Sequence, residues 1–268
     1  MPIIIKSDDE IAIMRHAGSV VARTLLRLAE GVRPGVVVKD LDKVVRREFE
    51  RHKVVPTFLG YHGYPATVCV SVNEEIVHGI PGKRVIQDGD IVSLDLGCTY
   101  RGFVADAALT VIAGTPKPGT RELVDVTKES LDKGIAEARA GNRLGQISAA
   151  IQAYIESRGF GVVREYVGHG VGRQMHEEPQ VPNFGPADRG PVLKKGMVLA
   201  LEPMVTAGDW RTRQLEDHWT VVTADGSLSA HFEHTIAITD DAPEILTLRS
   251  SEEPMGARTA AAVAEGRK

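Results

Sequence analysis

Apolar residues recur at helical spacing from the start of the chain. Ile11, Met14, Val21, Leu25 and Leu28 share one face of a helix that Ser7 opens, with Glu10 completing a capping box, and that runs to Gly31. The same period predicts a second helix from Lys39 to about His52, a third from Thr120 to about Ala140, and a fourth from Gln146 to about Ser157, where Gly159 supplies the stop. Elsewhere the apolar residues bunch into short strand-like runs: Thr67–Val72, Ile91–Leu96, Leu109–Ile112, Met197–Leu201, Trp219–Thr223 and Thr235–Thr239. The order is helices, strands, helices, strands. From Ser250 to Lys268 the pattern gives way to polar, charged and alanine-rich sequence, which predicts a weakly ordered tail behind a single domain over residues 1–249.

That order suggests a duplication, and particular residues support it. Gly31 and Gly35 are matched 110 positions later by Gly141 and Gly145, and His78-x-x-Pro81 by His176-x-x-Pro179. The run Gly89–Asp95 lines up with Gly196–Glu202, so each of two similar apolar strands carries a carboxylate at the same end. A duplicated chain of this kind predicts an α+β fold, a pseudo-two-fold sandwich whose strands form one curved antiparallel sheet with helices on the outside. The two halves then share one site.

Composition removes several function classes. A chain of 268 residues with 43% hydrophobic content can bury a full core. No apolar run approaches the ~18 residues of a membrane span, and the start Met1-Pro2-Ile3-Ile4-Ile5-Lys6 lacks the features of a secretory signal. Cys69 and Cys98 sit in apolar contexts, which reads as reduced core thiols and a cytoplasmic protein. A net charge of −4 points away from a nucleic-acid-binding surface. The basic cluster Arg46, Arg47, Arg51 and Lys53 is interleaved with Glu48 and Glu50, as on a solvated helix face.

The chemistry is carried by acidic residues in apolar strands. Asp95 follows Ile91-Val92-Ser93-Leu94, a setting in which a lone carboxylate would cost several kcal/mol unless paired or metal-bound. A hairpin centred between Tyr100 and Arg101 would set Asp106 directly across from it, within roughly 4.5–5.5 Å. Two carboxylates that close raise each other's pKa unless a cation holds both ionised. Glu202 ends another apolar strand before Pro203, and Glu233 precedes Thr235-Ile236-Ala237-Ile238. His169 lies in Gly168-His169-Gly170-Val171-Gly172, where flanking glycines would let other groups approach the ring. Four carboxylates and one imidazole suit two hard or borderline divalent ions, such as Mn²⁺, Fe²⁺, Co²⁺ or Mg²⁺, better than a thiolate-rich site. Two such ions activate water, and hydrolysis is the reaction expected.

The ordered set Asp95, Asp106, His169, Glu202 and Glu233, with Gly168–Gly172, Met175–Val181, Glu202-Pro203-Met204 and Glu233-His234-Thr235, resembles the type I methionine aminopeptidases across residues 4–248. The resemblance implies the pita-bread fold and two bound divalent ions. Asp106 and Glu233 would bridge them, Asp95 would complete one, and His169 with Glu202 the other. Glu202 would also act as base for the bridging water. His78 and His176 would contact the scissile amide and stabilise the tetrahedral intermediate. Tyr61, Tyr64, Cys69, Met175 and Trp219 would line a slot for a methionine side chain, where sulfur–aromatic contacts add roughly 0.3–1.5 kcal/mol.

The implied substrates are the N-termini of nascent polypeptides with a small second residue, met at the ribosome by a monomer that binds neither nucleic acid nor membrane. Met175 and Phe58 depart from the family's common residues and would redistribute the pocket volume, while Gly97 and the alanines around Asp106 depart beside the metal site and leave the metal preference open. The 33-residue gap from His169 to Glu202 leaves little room for the helical insertion of type II enzymes. The alternative is a proline-specific aminopeptidase of the same fold, which would keep all five ligands. Such proteins usually carry an extra N-terminal domain, for which the few residues before the first helix leave no room. Noncatalytic binding relatives would lose ligands that this chain retains.

Overall fold

The computed structural model describes residues 2–249; the expected tail, 250–268, lies outside the described residues. The described residues form four α-helices, α1 (Asp8–Gly31), α2 (Val38–His52), α3 (Thr120–Glu137) and α4 (Leu144–Ser157). In α1 the capping box closes, with Ser7 Oγ accepting from Glu10 N at 3.3 Å and Ser7 N donating to Glu10 Oε2 at 3.0 Å. The predicted stripe of α1 is buried. On α2, Val38, Leu41, Val45 and Phe49 form the buried face, each contributing about 1.5–3 kcal/mol for a full side chain. α3 stops three residues early because Ala138 leaves helical backbone and the chain turns through Gly141 at φ +94.

Every strand pairing is antiparallel. The centre of the first half is the hairpin Ile91–Tyr100 with Phe103–Ile112, flanked by Cys69–Val72 and Val55–Pro56. α1 packs across this hairpin. The second half places His234–Ala237 beside Val198–Leu201, which pairs with Gly168–Gly170 and then Glu177–Val181. Among the described residues backbone ladders divide the strands into four sheets, and threonine side chains join the sheet of the first hairpin to two of the others. Thr110 Oγ1 binds both the N–H and the C=O of His231, at 2.9 and 2.7 Å, and Thr235 Oγ1 does the same for Asp106, at 3.1 and 2.7 Å. Between these stitches Glu233 N donates to Ala108 O at 2.9 Å. The curved layer is therefore continuous through hydroxyls where the ladder lapses, and one apolar core runs from Ala17 to Ile238.

The offset of 110 read from the glycines of the inter-helix turns does not hold in the backbone, whereas the 107 that aligns Gly89–Asp95 with Gly196–Glu202 does. Gly35 (φ +90) corresponds to Gly141 (φ +94), each just before the helix that follows, and Gly89 (φ +81) corresponds to Gly196 (φ +84). The isolated bridges Val37↔Val85 and Arg143↔Val192 repeat in the same way. These pairs are 106 or 107 apart, the same spacing as Asp95 and Glu202. Gly31 and Gly145 are instead helical residues, so composition aligned glycines that the backbone does not.

Candidate active site

The hairpin register differs from the expected one by two positions. Its turn is Arg101-Gly102, with φ of +47 and +80, closed by the pair Tyr100↔Phe103. Two residues of positive φ match the right-handed twist of the flanking strands. Asp106 thus faces Gly97, and Asp95 faces Ala108 on one side and Cys69 on the other. A shift of two preserves the face, because side chains alternate with a period of two. Asp95 and Asp106 are diagonal neighbours on that face.

The second half brings the remaining groups to the same place. The ligating atoms of Asp106, His169 and Glu233 lie within 4.8 Å of one another. His169 Nε2 is 3.6 Å from Asp106 Oδ2 and 3.6 Å from Glu202 Oε1. His169 sits on a strand, not in a turn, and its flanking glycines have another cause: a Cβ on Gly168 would lie 2.3 Å from Ala200 O, and one on Gly170 2.2 Å from Glu178 O. The imidazole Nδ1 lies 2.9 Å from Gly170 O. Donating there leaves the Nε2 lone pair facing the carboxylates, the tautomer a metal ligand requires. Burial pushes this histidine down to about 4, so the ring is neutral.

Electrostatics test whether these residues fit a divalent metal. Burial holds Asp106 up at about 6, even though Thr235 donates to its carboxylate. Removal from water, then repulsion by the neighbouring carboxylates, raises Asp95, Glu202 and Glu233 well above the usual range. Among the described residues Asp95 Oδ1 is buried with no hydrogen-bond partner. Four acids this close cannot all ionise without a cation, and an unpaired oxygen and an imidazole lone pair already face the cluster. The donor set is oxygen and nitrogen, as hard or borderline divalent ions prefer. The residues fit.

Beside the cluster lies a cavity of about 120 Å³ lined by Phe58, Tyr61, Tyr64, Cys69, Met175 and Trp219, with His78, His176 and Asp95 at its polar end. That volume is several times the ~10–15 Å³ one water needs, so the space suits a side chain. Tyr64 and Trp219 meet edge to face, with ring centroids 5.0 Å apart. Tyr64 is fixed by donating to Gly79 O at 2.9 Å. Trp219 is held by its turn, where Asp217 accepts from the N–H groups of Trp219 and Thr220 and from the Thr220 hydroxyl. His78 has a backbone φ of +61, a strained conformation of the sort retained where a side chain must be aimed. His176 Nδ1 lies 2.7 Å from Tyr61 Oη, which leaves its Nε2 for the cavity.

All the residues singled out in the sequence therefore meet at one place. Phe58, already noted as a departure in the sequence, lines the pocket. Three participants were not singled out. Thr235 orients Asp106. Lys6, 2% exposed, makes a 2.6 Å ion pair with Glu177 beside His176. His231 lies buried behind Glu202. Nothing in sequence order links Lys6 or His231 to the site. No helix among the described residues is long and apolar enough to cross a membrane.

Comparison with known proteins agrees with this geometry. Residues 12–240 match the profile of metallopeptidase family M24. The chain is 52% identical over 245 residues to methionine aminopeptidase 1 of Bacillus subtilis, an alignment covering 91% of this chain and 99% of that protein. It superposes on the crystal structure of a methionine aminopeptidase from Thermotoga maritima with a TM-score of 0.91 and 51% identity, over 92% of this chain and 99% of that one. A prolidase from Pyrococcus furiosus shares the fold at a TM-score of 0.73 and 21% identity, with 65% of that chain covered.

Proposed function

The chain belongs to metallopeptidase family M24, and from that membership and the geometry above we propose that it hydrolyses the N-terminal methionine from polypeptides whose second residue is small. The observation that carries this reading is the pairing Cys69↔Asp95, which joins an apolar slot to the carboxylate cluster across one pair of strands. A methionine side chain in the slot would bring its own peptide carbonyl to the cluster.

The family uses divalent metal. We assign two ions: Asp106 and Glu233 would hold both, Asp95 one, and His169 with Glu202 the other. Bound there, they lower the pKa of water and polarise a carbonyl. The chain's own residues supply the rest. Glu202 takes the proton of the attacking water and returns it to the departing amine, a task suited to a carboxylate whose proton affinity is raised by its surroundings. His176, its ring aimed by Tyr61, and His78 donate to the developing oxyanion. Tyr64 and Trp219 exclude water from the slot and hold the thioether.

Residues 1–249 are read as one catalytic domain, working in the cytoplasm as a monomer on nascent chains at the ribosome, without nucleic-acid binding. The test is cleavage of Met-Ala-Ser, Leu-Ala-Ser and Arg-Pro-Pro with Mn²⁺ or Co²⁺. Met-Ala-Ser should be cleaved at least about tenfold faster than Leu-Ala-Ser, roughly 1.4 kcal/mol in transition-state binding and within what one apolar pocket supplies. Ready cleavage of Arg-Pro-Pro with Met-Ala-Ser left intact would make the chain a proline-specific member of the same fold.

A further inference from the structure

His231 has no part in the roles above, yet it is built into the site. Its side chain is 2% exposed, and among the described residues Nε2 has no hydrogen-bond partner. A buried polar atom left unpaired is unfavourable, and a ring that merely filled space could be replaced by a hydrocarbon without that penalty. The group it faces is Glu202, whose Oε2 lies 3.9 Å from Nε2. The other oxygen, Oε1, lies 3.6 Å from His169 Nε2. The carboxylate is thus set between two imidazoles, one oxygen toward each.

The backbone of His231 is fixed for this. The Thr110 hydroxyl holds its N–H and C=O, and Ser93 Oγ lies 2.8 Å from that hydroxyl. The strand Ser229–His231 pairs with Met204–Thr206 in the register Met204↔His231, two residues beyond Glu202. Ring and carboxylate therefore come from adjoining, mutually anchored strands, and a small adjustment of the Glu202 side chain closes the remaining gap.

We propose that His231 is a positioning residue for Glu202, donating from Nε2 to Oε2 so that Oε1 stays turned toward His169 and the metal cluster. The proposal rests on the reading of Glu202 as ligand and base given above. It fixes the orientation of the carboxylate: one oxygen is held and the other is left facing the cluster.

The experiment compares wild type, His231→Gln and His231→Leu by kcat and KM on Met-Ala-Ser with Mn²⁺, and by calorimetric Mn²⁺ titration of the metal-stripped proteins. His231→Leu should lose at least about tenfold in kcat, the usual scale for groups that orient a ligand, with KM within about twofold. It should bind the wild-type number of Mn²⁺ ions about tenfold more weakly. His231→Gln, whose amide N–H reaches the same oxygen, should recover both quantities to within about threefold. Wild-type kcat and Mn²⁺ affinity in the leucine variant would overturn the proposal, as would a glutamine variant as impaired as the leucine one. Loss of a whole Mn²⁺ equivalent would make His231 a ligand and overturn it too. If wild type fails on Met-Ala-Ser while Mn²⁺ affinity still ranks wild type and glutamine above leucine, the aminopeptidase reading falls and the role of His231 stands.

Discussion

Replacing Lys6 with methionine should both loosen the fold and weaken the site. The Lys6 and Glu177 side chains are 2% and 5% exposed and 2.6 Å apart, and Lys6 Nζ also donates to Ile4 O at 3.2 Å. Glu177 accepts in addition from Gln174 N at 3.2 Å, so the pair ties the start of the chain to the loop that carries Met175 and His176. Methionine keeps the length of the lysine stem but strands the carboxylate. Breaking a buried pair from one side destabilises by about 3–5 kcal/mol. For a domain of this size, about 2–4 °C per kcal/mol makes the expected fall in Tm roughly 6–20 °C. The second change, Glu177→Met in the Lys6→Met background, removes the stranded charge and should restore more than half of the loss, since an apolar replacement of a buried pair is often near neutral. Urea unfolding of the two single variants and the double variant, with metal present at fixed concentration, gives the coupling. In the Lys6→Met variant kcat should fall while bound metal stays level, because the loop and not the cluster has moved. A Tm within about 2 °C of wild type, or a double variant less stable than both singles, would refute the reasoning.

The other expectations concern the cluster and the pocket. Asp106→Ala or Glu233→Ala should abolish activity and lower bound metal, measured by elemental analysis, well below wild type; full activity with unchanged metal content would remove both from the ligand set. Tyr61→Phe takes away the partner of His176 Nδ1 and should lower kcat about tenfold with metal content unchanged, the effect expected of a misoriented hydrogen-bond donor; an unchanged kcat would show that the ring needs no such support. Metal removal should also change the pH dependence of stability. Up to about pH 6.5, buried neutral His78 and His169, both held down at about 4 by burial, raise stability as pH rises, because the unfolded chain binds their protons and the folded one does not. Asp95, Glu202 and Glu233 are raised instead, so the folded chain binds their protons and stability falls with rising pH. Above about pH 6.5 only the carboxylate effect remains. As pH rises above about 6.5, chelator-treated protein should therefore lose more Tm than metal-loaded protein; parallel curves would mean that these acids are not held together as described.

Local pattern was enough for the helices and for the chemistry of the site. The capping box at Ser7 and Glu10, the buried stripe of α1 and the strand cores appear where periodicity put them, since burial of one face depends on spacing along the chain alone. The five metal-binding candidates were legible for a related reason. A carboxylate at the end of an apolar run needs a partner wherever that run lies, whether the strand continues past it, as at Asp95, or stops before it, as at Glu202.

Relations between segments were decided by the tertiary structure. Register is one: the Arg101-Gly102 turn moved Asp106 from opposite Asp95 to opposite Gly97, and only the period-two alternation kept both on one face. The duplication is another, because glycines align by composition at 110 but by backbone conformation at 106 and 107. The threonine stitches of Thr110 and Thr235, the Lys6–Glu177 pair and the approach of His231 to Glu202 join residues with no sequence relation, across 121, 129, 171 and 29 positions. Sequence determines which side chains need a partner, through their polarity and the apolar company they keep. Which partner each one finds depends on how the two halves close, and that closure exists only in three dimensions.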